Sequence, residues 1–201
     1  DAAGYLPDEG VATAAYLAIR MRRPLLLEGD PGVGKTALAQ ALADVVGAEL
    51  VRLSCYEGID ASQALYDWDF PRQLLHLRAA EGGGDERSVY DRRFLIARPI
   101  LRALELSPAV LLIDEIDRAD DEFEAFLLEV LSTYQVSIPE FGTVRATIPP
   151  VVVLTSNRTR EVHDALKRRC LYHWVEHPSL SREIEIVRTR LPGVSSTLAE
   201  Q

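Results

Sequence analysis

The stretch Gly29-Asp30-Pro31-Gly32-Val33-Gly34-Lys35-Thr36 constrains this chain more than any other. It follows the apolar run Leu25-Leu26-Leu27 and leads into Ala37-Leu38-Ala39-Gln40-Ala41-Leu42-Ala43, a series of strong helix formers. That is the full Gly-x4-Gly-Lys-Thr pattern in a strand–loop–helix context. Gly29, Gly32 and Gly34 let the backbone curl so that successive N–H groups point inward, and the positive end of the following helix adds to their pull on phosphate oxygens. The phosphate-binding set this predicts is Gly29, Asp30, Pro31, Gly32, Val33, Gly34, Lys35, Thr36 and Ala37. In it, Lys35 reaches the β- and γ-phosphates, and Thr36 offers its hydroxyl to Mg²⁺.

Elsewhere the pattern alternates strands with helices, which argues for a parallel α/β sheet. Helical spacing covers 11–21, with strands at 49–54, 110–113, 151–155 and 171–175 and helices at 99–104, 161–169 and 180–191. Asp120, Asp121 and Glu122 supply the acidic start of a further helix whose apolar face is Phe123, Phe126, Leu127, Val130 and Leu131. Val136-Ser137-Ile138 and 144–148 flank a turn at 139–143 and read as a hairpin. Residues 64–70 alternate apolar and polar and read as a short strand or hairpin; Leu74, Leu75 and Leu77 look helical. A Gly- and acid-rich surface loop is expected at 81–86, and a frayed tail at 194–201.

The apolar strand Val110-Leu111-Leu112-Ile113 ends in Asp114-Glu115. Beside a phosphate loop, Asp114 can hold Mg²⁺ directly or through water, and Glu115 can orient and deprotonate an attacking water. A carboxylate dedicated to water favours hydrolysis over transfer to a substrate hydroxyl. Asn157, at the end of the next apolar strand, can reach that water or the γ-phosphate; an Asx turn is the plainer alternative. Arg168 and Arg169 close a helix, either as a solvated pair favoured by its dipole or as an arginine finger acting on a neighbouring subunit's nucleotide. Tyr5 or Leu6 could pack on an adenine ring or serve as a staple under the first helix.

The net charge of −9 over 201 residues is not that of a general nucleic-acid binder, although Arg158, Arg160, Lys167, Arg168 and Arg169 form a local basic cluster. No apolar run reaches bilayer length. Two cysteines without a CxxC pair fit the reduced thiols of a cytoplasmic protein and make a zinc site improbable. His173 and His177 have a metal-like interval, but on a strand and its exit that interval loses its common face.

In this order, GDPGVGKT, VLLIDEIDRA, LTSN and ALKRRC resemble an AAA+ ATPase over nearly the whole chain. LLIDEIDRADDEFEAFLLEVLSTYQVSI is similar to the MoxR branch, and RPLLLEGDPGVGKT with LKRRCLYHW to its CoxD-type members, associated with maturation of molybdenum-containing carbon monoxide dehydrogenases. The resemblance implies a three-layer αβα P-loop core over residues 1–178, and a helical lid only begun in 179–201. It implies ATP/ADP and Mg²⁺ as ligands, a homo-hexameric ring, and a protein client, with a metalloenzyme as the candidate. Lys35 and Thr36 then match Walker A, Asp114 and Glu115 Walker B, and Asn157 sensor 1. Arg169 matches the arginine finger, with Arg168 as competitor. The 56–95 stretch resembles this clade's insert in its second helix and 136–148 its hairpin before sensor 1, which makes Trp68, Phe70 and Phe141 candidate client contacts. No sensor 2 residue is assigned among Arg182, Arg188 and Arg190. A nucleic-acid motor and a non-hydrolysing nucleotide switch are the alternatives.

Overall fold

The computed structural model describes residues 5–79 and 89–190. Helix α1 (Glu9–Met21) starts where the Asp8 carboxylate accepts the Val11 N–H at 2.7 Å, and it buries Val11, Ala15 and Ala18 along one face. Strand β1 (Leu25–Glu28), the phosphate-loop turn, helix α2 (Lys35–Val46) and strand β2 (Glu49–Ser54) follow. Next come α3 (Ala61–Leu65), β3 (Tyr66–Trp68), α4 (Phe70–Ala79), β4 (Leu95–Ala97) and α5 (Pro99–Glu105). The chain continues through β5 (Ala109–Asp114), α6 (Asp121–Thr133), β6 (Gln135–Ile138) and β7 (Gly142–Arg145). It then runs through β8 (Val151–Ser156), α7 (Asp164–Arg169), β9 (Leu171–Trp174) and α8 (Leu180–Arg190).

Five strands form one sheet in the order β2-β5-β8-β1-β9, and every pairing in it is parallel. Parallel strands need helical crossovers that cover both faces, so the central strands carry continuous apolar runs; all six residues of β5 are buried. Alternation along the strands divides the core. Leu25, Leu27, Leu112 and Val153 pack with α1 and α2 on one face. Leu26, Val51, Leu53, Leu111, Ile113 and Leu154 pack with α5 and α6 on the other. The result is the three-layer αβα arrangement with a parallel central sheet expected from the sequence.

Local details differ from expectation. Residues 64–70 are not one strand: Ala64 and Leu65 end α3, Phe70 opens α4, and only Tyr66–Trp68 is extended, pairing antiparallel with β4. A capping box starts α3, the Asp60 carboxylate accepting the Gln63 N–H while the Gln63 side chain accepts the Asp60 N–H. The hairpin is β6–β7 with Ile138 opposite Gly142, so its loop is Pro139-Glu140-Phe141, and 146–148 lie beyond it. Helix α7 begins at Asp164 rather than 161, because His163 caps it by accepting the Ala165 N–H. The loop expected at 81–86 and the tail at 194–201 lie outside the described residues.

Candidate nucleotide site

The carboxyl ends of the parallel strands converge on a cavity of about 370 Å³ lined by Lys35, Thr36, Arg52, Asp114, Glu115 and Asn157, among others. Such crevices are where open α/β sheets bind ligands. The loop that floors it is fixed by close approach. A Cβ on Gly29 would lie 2.4 Å from the Val175 carbonyl oxygen, because the chain leaving β9 crosses there with the Val175 N–H bonded to the Glu28 carbonyl at 2.7 Å. Gly34, at φ +95°, turns the loop into α2 in the left-handed region that disfavours a side chain.

An ammonium has three donors, and Lys35 uses each: Nζ donates to the carbonyls of Gly29 (2.7 Å) and Asp30 (2.8 Å) and to Oδ1 of Asn157 (2.8 Å). Burial pulls the Lys35 pKa down, opposed by the carboxylates of Asp117, Asp114 and Asp30. Three acceptors thus fix where the side chain points. Asn157 joins two expected roles, since its Nδ2 donates to Oε1 of Glu115 at 3.4 Å.

Asp114 and Glu115 are organised by a residue that sequence patterning left unmarked. Thr155, buried in β8, donates its hydroxyl proton to Asp114 Oδ1 at 2.5 Å and accepts the Glu115 N–H at 2.9 Å. Glu115 sits at φ 58°, an uncommon conformation for a residue with a side chain, and Arg118 Nε lies 3.0 Å from its Oε2. Thr36 donates its hydroxyl to the same Asp114 Oδ1 at 3.2 Å. Mg²⁺ takes oxygen ligands and keeps several waters, so a hydroxyl facing one carboxylate is a fitting protein share of its shell. Among the described residues no three His, Cys, Asp or Glu side chains converge to hold a metal ion, and His177 lies 3.2 Å from Asp30.

Of the expected residues, Pro31, Gly32, Gly34, Lys35, Thr36, Ala37, Asp114, Glu115 and Asn157 line this cavity, Gly29 and Asp30 hold Lys35 through their carbonyls, and Val33 lines the neighbouring cleft. A second cleft of about 1040 Å³ shares Gly32, Gly34 and Ala37 with the first and is walled by Tyr5, Leu6, His177, Arg182 and Ile186. Arg182 Nη2 donates to the Pro7 carbonyl at 2.8 Å, which ties α8 to the segment before α1. The arginines at the end of α7 separate: Arg169 is half-buried with Nε donating to the Leu131 carbonyl at 3.2 Å, and Arg168 is exposed. The rest of the basic cluster is largely neutralised, with Arg160 paired to Glu124 and Asp121, Lys167 to Glu161, and Arg158 3.6 Å from Glu28. Phe70 is exposed, Trp68 packs edge-on against Tyr66 and Tyr90, and Phe141 lies on the core. No helix of the described residues is long and apolar enough to cross a membrane. Both cysteines are buried and free.

The chain is 54% identical over 48 residues to midasin of Giardia intestinalis, a match covering 24% of this chain and 1% of that protein. It is 25% identical over 187 residues to an AAA domain-containing protein of Schizosaccharomyces pombe, covering 89% of this chain and 21% of that one. A crystal structure of a protein from Cytophaga hutchinsonii, proposed to be an ATPase, has the same fold at a TM-score of 0.63 and 18% identity, over 92% of this chain and 51% of its own. The chain therefore spans only part of the proteins it matches. Residues 24–170 match the model of the AAA domain, dynein-related subfamily, and those residues hold the phosphate loop, Asp114, Glu115 and Asn157. The chain belongs to that family.

Proposed function

We propose that this chain is the nucleotide-hydrolysing core of an AAA+ ATPase that binds ATP at 29–37 and cleaves its γ-phosphate with water. The observation that carries this is the convergence of Lys35, Thr36, Asp114, Glu115 and Asn157 on one cavity. Lys35 exchanges its two backbone carbonyls for phosphate oxygens, while the loop N–H groups and the α2 terminus hold the remaining charge. Thr36 and Asp114 would hold Mg²⁺, which would supply positive charge against the charge that develops on the phosphates. Glu115 takes the proton of the attacking water, and Asn157, touching both Lys35 and Glu115, aligns water with phosphate. Tyr5 and Leu6 offer the adenine an apolar wall in the neighbouring cleft.

The likeness of 111–138 to the MoxR branch supports a ring, a homo-hexamer, in which Arg168 or Arg169 completes a neighbour's site. Arg168 is free to reach outward, whereas Arg169 must first release the Leu131 carbonyl. The client is proposed on resemblance alone: a protein remodelled by ring motion, a molybdenum-containing carbon monoxide dehydrogenase by the CoxD-type likeness. A cytoplasmic setting follows from that client. The site assignment is tested by binding of a fluorescent ATP analogue to Lys35→Ala. The variant should bind at least tenfold more weakly, by about the loss of one charge-assisted phosphate contact; unchanged affinity would remove the phosphate loop from its role.

A further inference from the structure

Arg52 was not marked by any motif, yet its guanidinium enters the cavity just described. It stands on β2, whose alternation puts Val51 and Leu53 into the core on one face and Arg52 on the other, where Leu50 packs toward α2. The register sets Ser54 beside Asp114 and Arg52 beside Leu112, so Arg52 lies diagonally across from Asp114. Its Nη2 is 2.5 Å from Asp114 Oδ2, while the other carboxylate oxygen takes the hydroxyls of Thr36 and Thr155. Asp114 is nearly buried and Arg52 is 57% exposed, so the acid is fixed and the base is movable. The carboxylate oxygen that the two hydroxyls leave open is thus paired with a cation from the same chain.

Resting on the nucleotide reading above, we propose that Arg52 is a positioning residue that holds the Asp114 carboxylate and yields it when a metal-bound nucleotide enters. Toward an incoming triphosphate, Arg52 offsets a negative charge that would otherwise repel it. With metal present that cancellation is redundant, and the guanidinium competes for the same carboxylate. Removing Arg52 should therefore make nucleotide binding more dependent on metal. General loss of structure would weaken binding equally in both conditions.

The experiment compares the affinity of the full chain for a fluorescent ATP analogue in EDTA and in excess Mg²⁺, for wild type and Arg52→Gln. The variant should bind about tenfold more weakly in EDTA, the effect of one half-exposed charge a few ångströms away, and as tightly as wild type or tighter in Mg²⁺. Arg52→Lys, which keeps the cation, should restore most of the EDTA affinity. A ratio of the two affinities unchanged in Arg52→Gln, with binding retained, would overturn the role of Arg52 and leave the nucleotide site standing. Wild type binding in neither condition would overturn both. Should Arg52→Gln fail to fold, Arg52→Met, which keeps the side chain's apolar stem, is read by the same ratio.

Discussion

Thr155→Val tests whether the two acids at the end of β5 depend on one hydroxyl. Valine keeps the branched shape in a central strand at a position only 2% exposed, so the substitution changes hydrogen bonding and little else. It removes the donor to Asp114 Oδ1 and the acceptor of the Glu115 N–H. Asp114 keeps Thr36 and Arg52, so that loss is partial. The Glu115 N–H, part-buried in a left-handed turn, loses the oxygen that pairs it, at a cost of about 1–3 kcal/mol. Together the two losses come to about 3 kcal/mol, or roughly 6–12 °C in melting temperature for a domain of this size. Thr155→Ser keeps the hydroxyl and should lose only about 1 kcal/mol for the missing methyl. Thermal unfolding followed by circular dichroism separates the two. A valine variant that melts within about 2 °C of wild type, or a serine variant worse than valine, would refute the argument.

Burial, reinforced by Asp114 and Asp117, pushes the Cys55 thiol up to about 12, and burial alone does so for Cys170. Above the ordinary thiol value near ~8.5 the unfolded chain releases these protons and the folded chain does not, so stability should fall as pH rises from there toward 12. The urea midpoint of wild type should drop more steeply across that range than that of a Cys55→Ala, Cys170→Ala double variant; equal slopes would contradict it. If active sites are completed between subunits, ATP turnover per subunit should climb with protein concentration, and Arg168→Ala or Arg169→Ala chains mixed with wild type should depress it. A rate independent of concentration would argue against a shared site.

Much of the site was legible because its signals are local. The phosphate loop is a contiguous pattern between an apolar strand and an alanine-rich helix, and Asp114-Glu115 and Asn157 each terminate an apolar run. In a parallel sheet, strand ends meet at one edge, so those local signals suffice to bring the groups together. The supporting residues carry no local signal. Arg52 and Asp114 are 62 positions apart, Thr155 and Asp114 41, and their contacts exist only once β2, β5 and β8 are in register. Glu124 reads as an ordinary surface acid of α6, yet it is 2% exposed because Arg160 and the His163 N–H close over it from the loop before α7. Strand β3 has three residues, too few for a period of two to stand out. The Asp60-x-x-Gln63 pattern that starts α3 is itself a helix signal, one absent from the expectation of a strand or hairpin at 64–70. Gly142 looked like part of the turn, whereas it is the first paired residue of β7.

The central claim is that Glu115 activates water on a bound ATP. Its most direct test measures phosphate release and ATP-analogue binding together, for wild type and Glu115→Gln, in Mg²⁺. Binding should stay within about threefold of wild type and turnover should fall at least a hundredfold, as expected for loss of a general base. Turnover at the wild-type rate in Glu115→Gln would contradict it, and so would a wild type that binds ATP and releases no phosphate at any protein concentration.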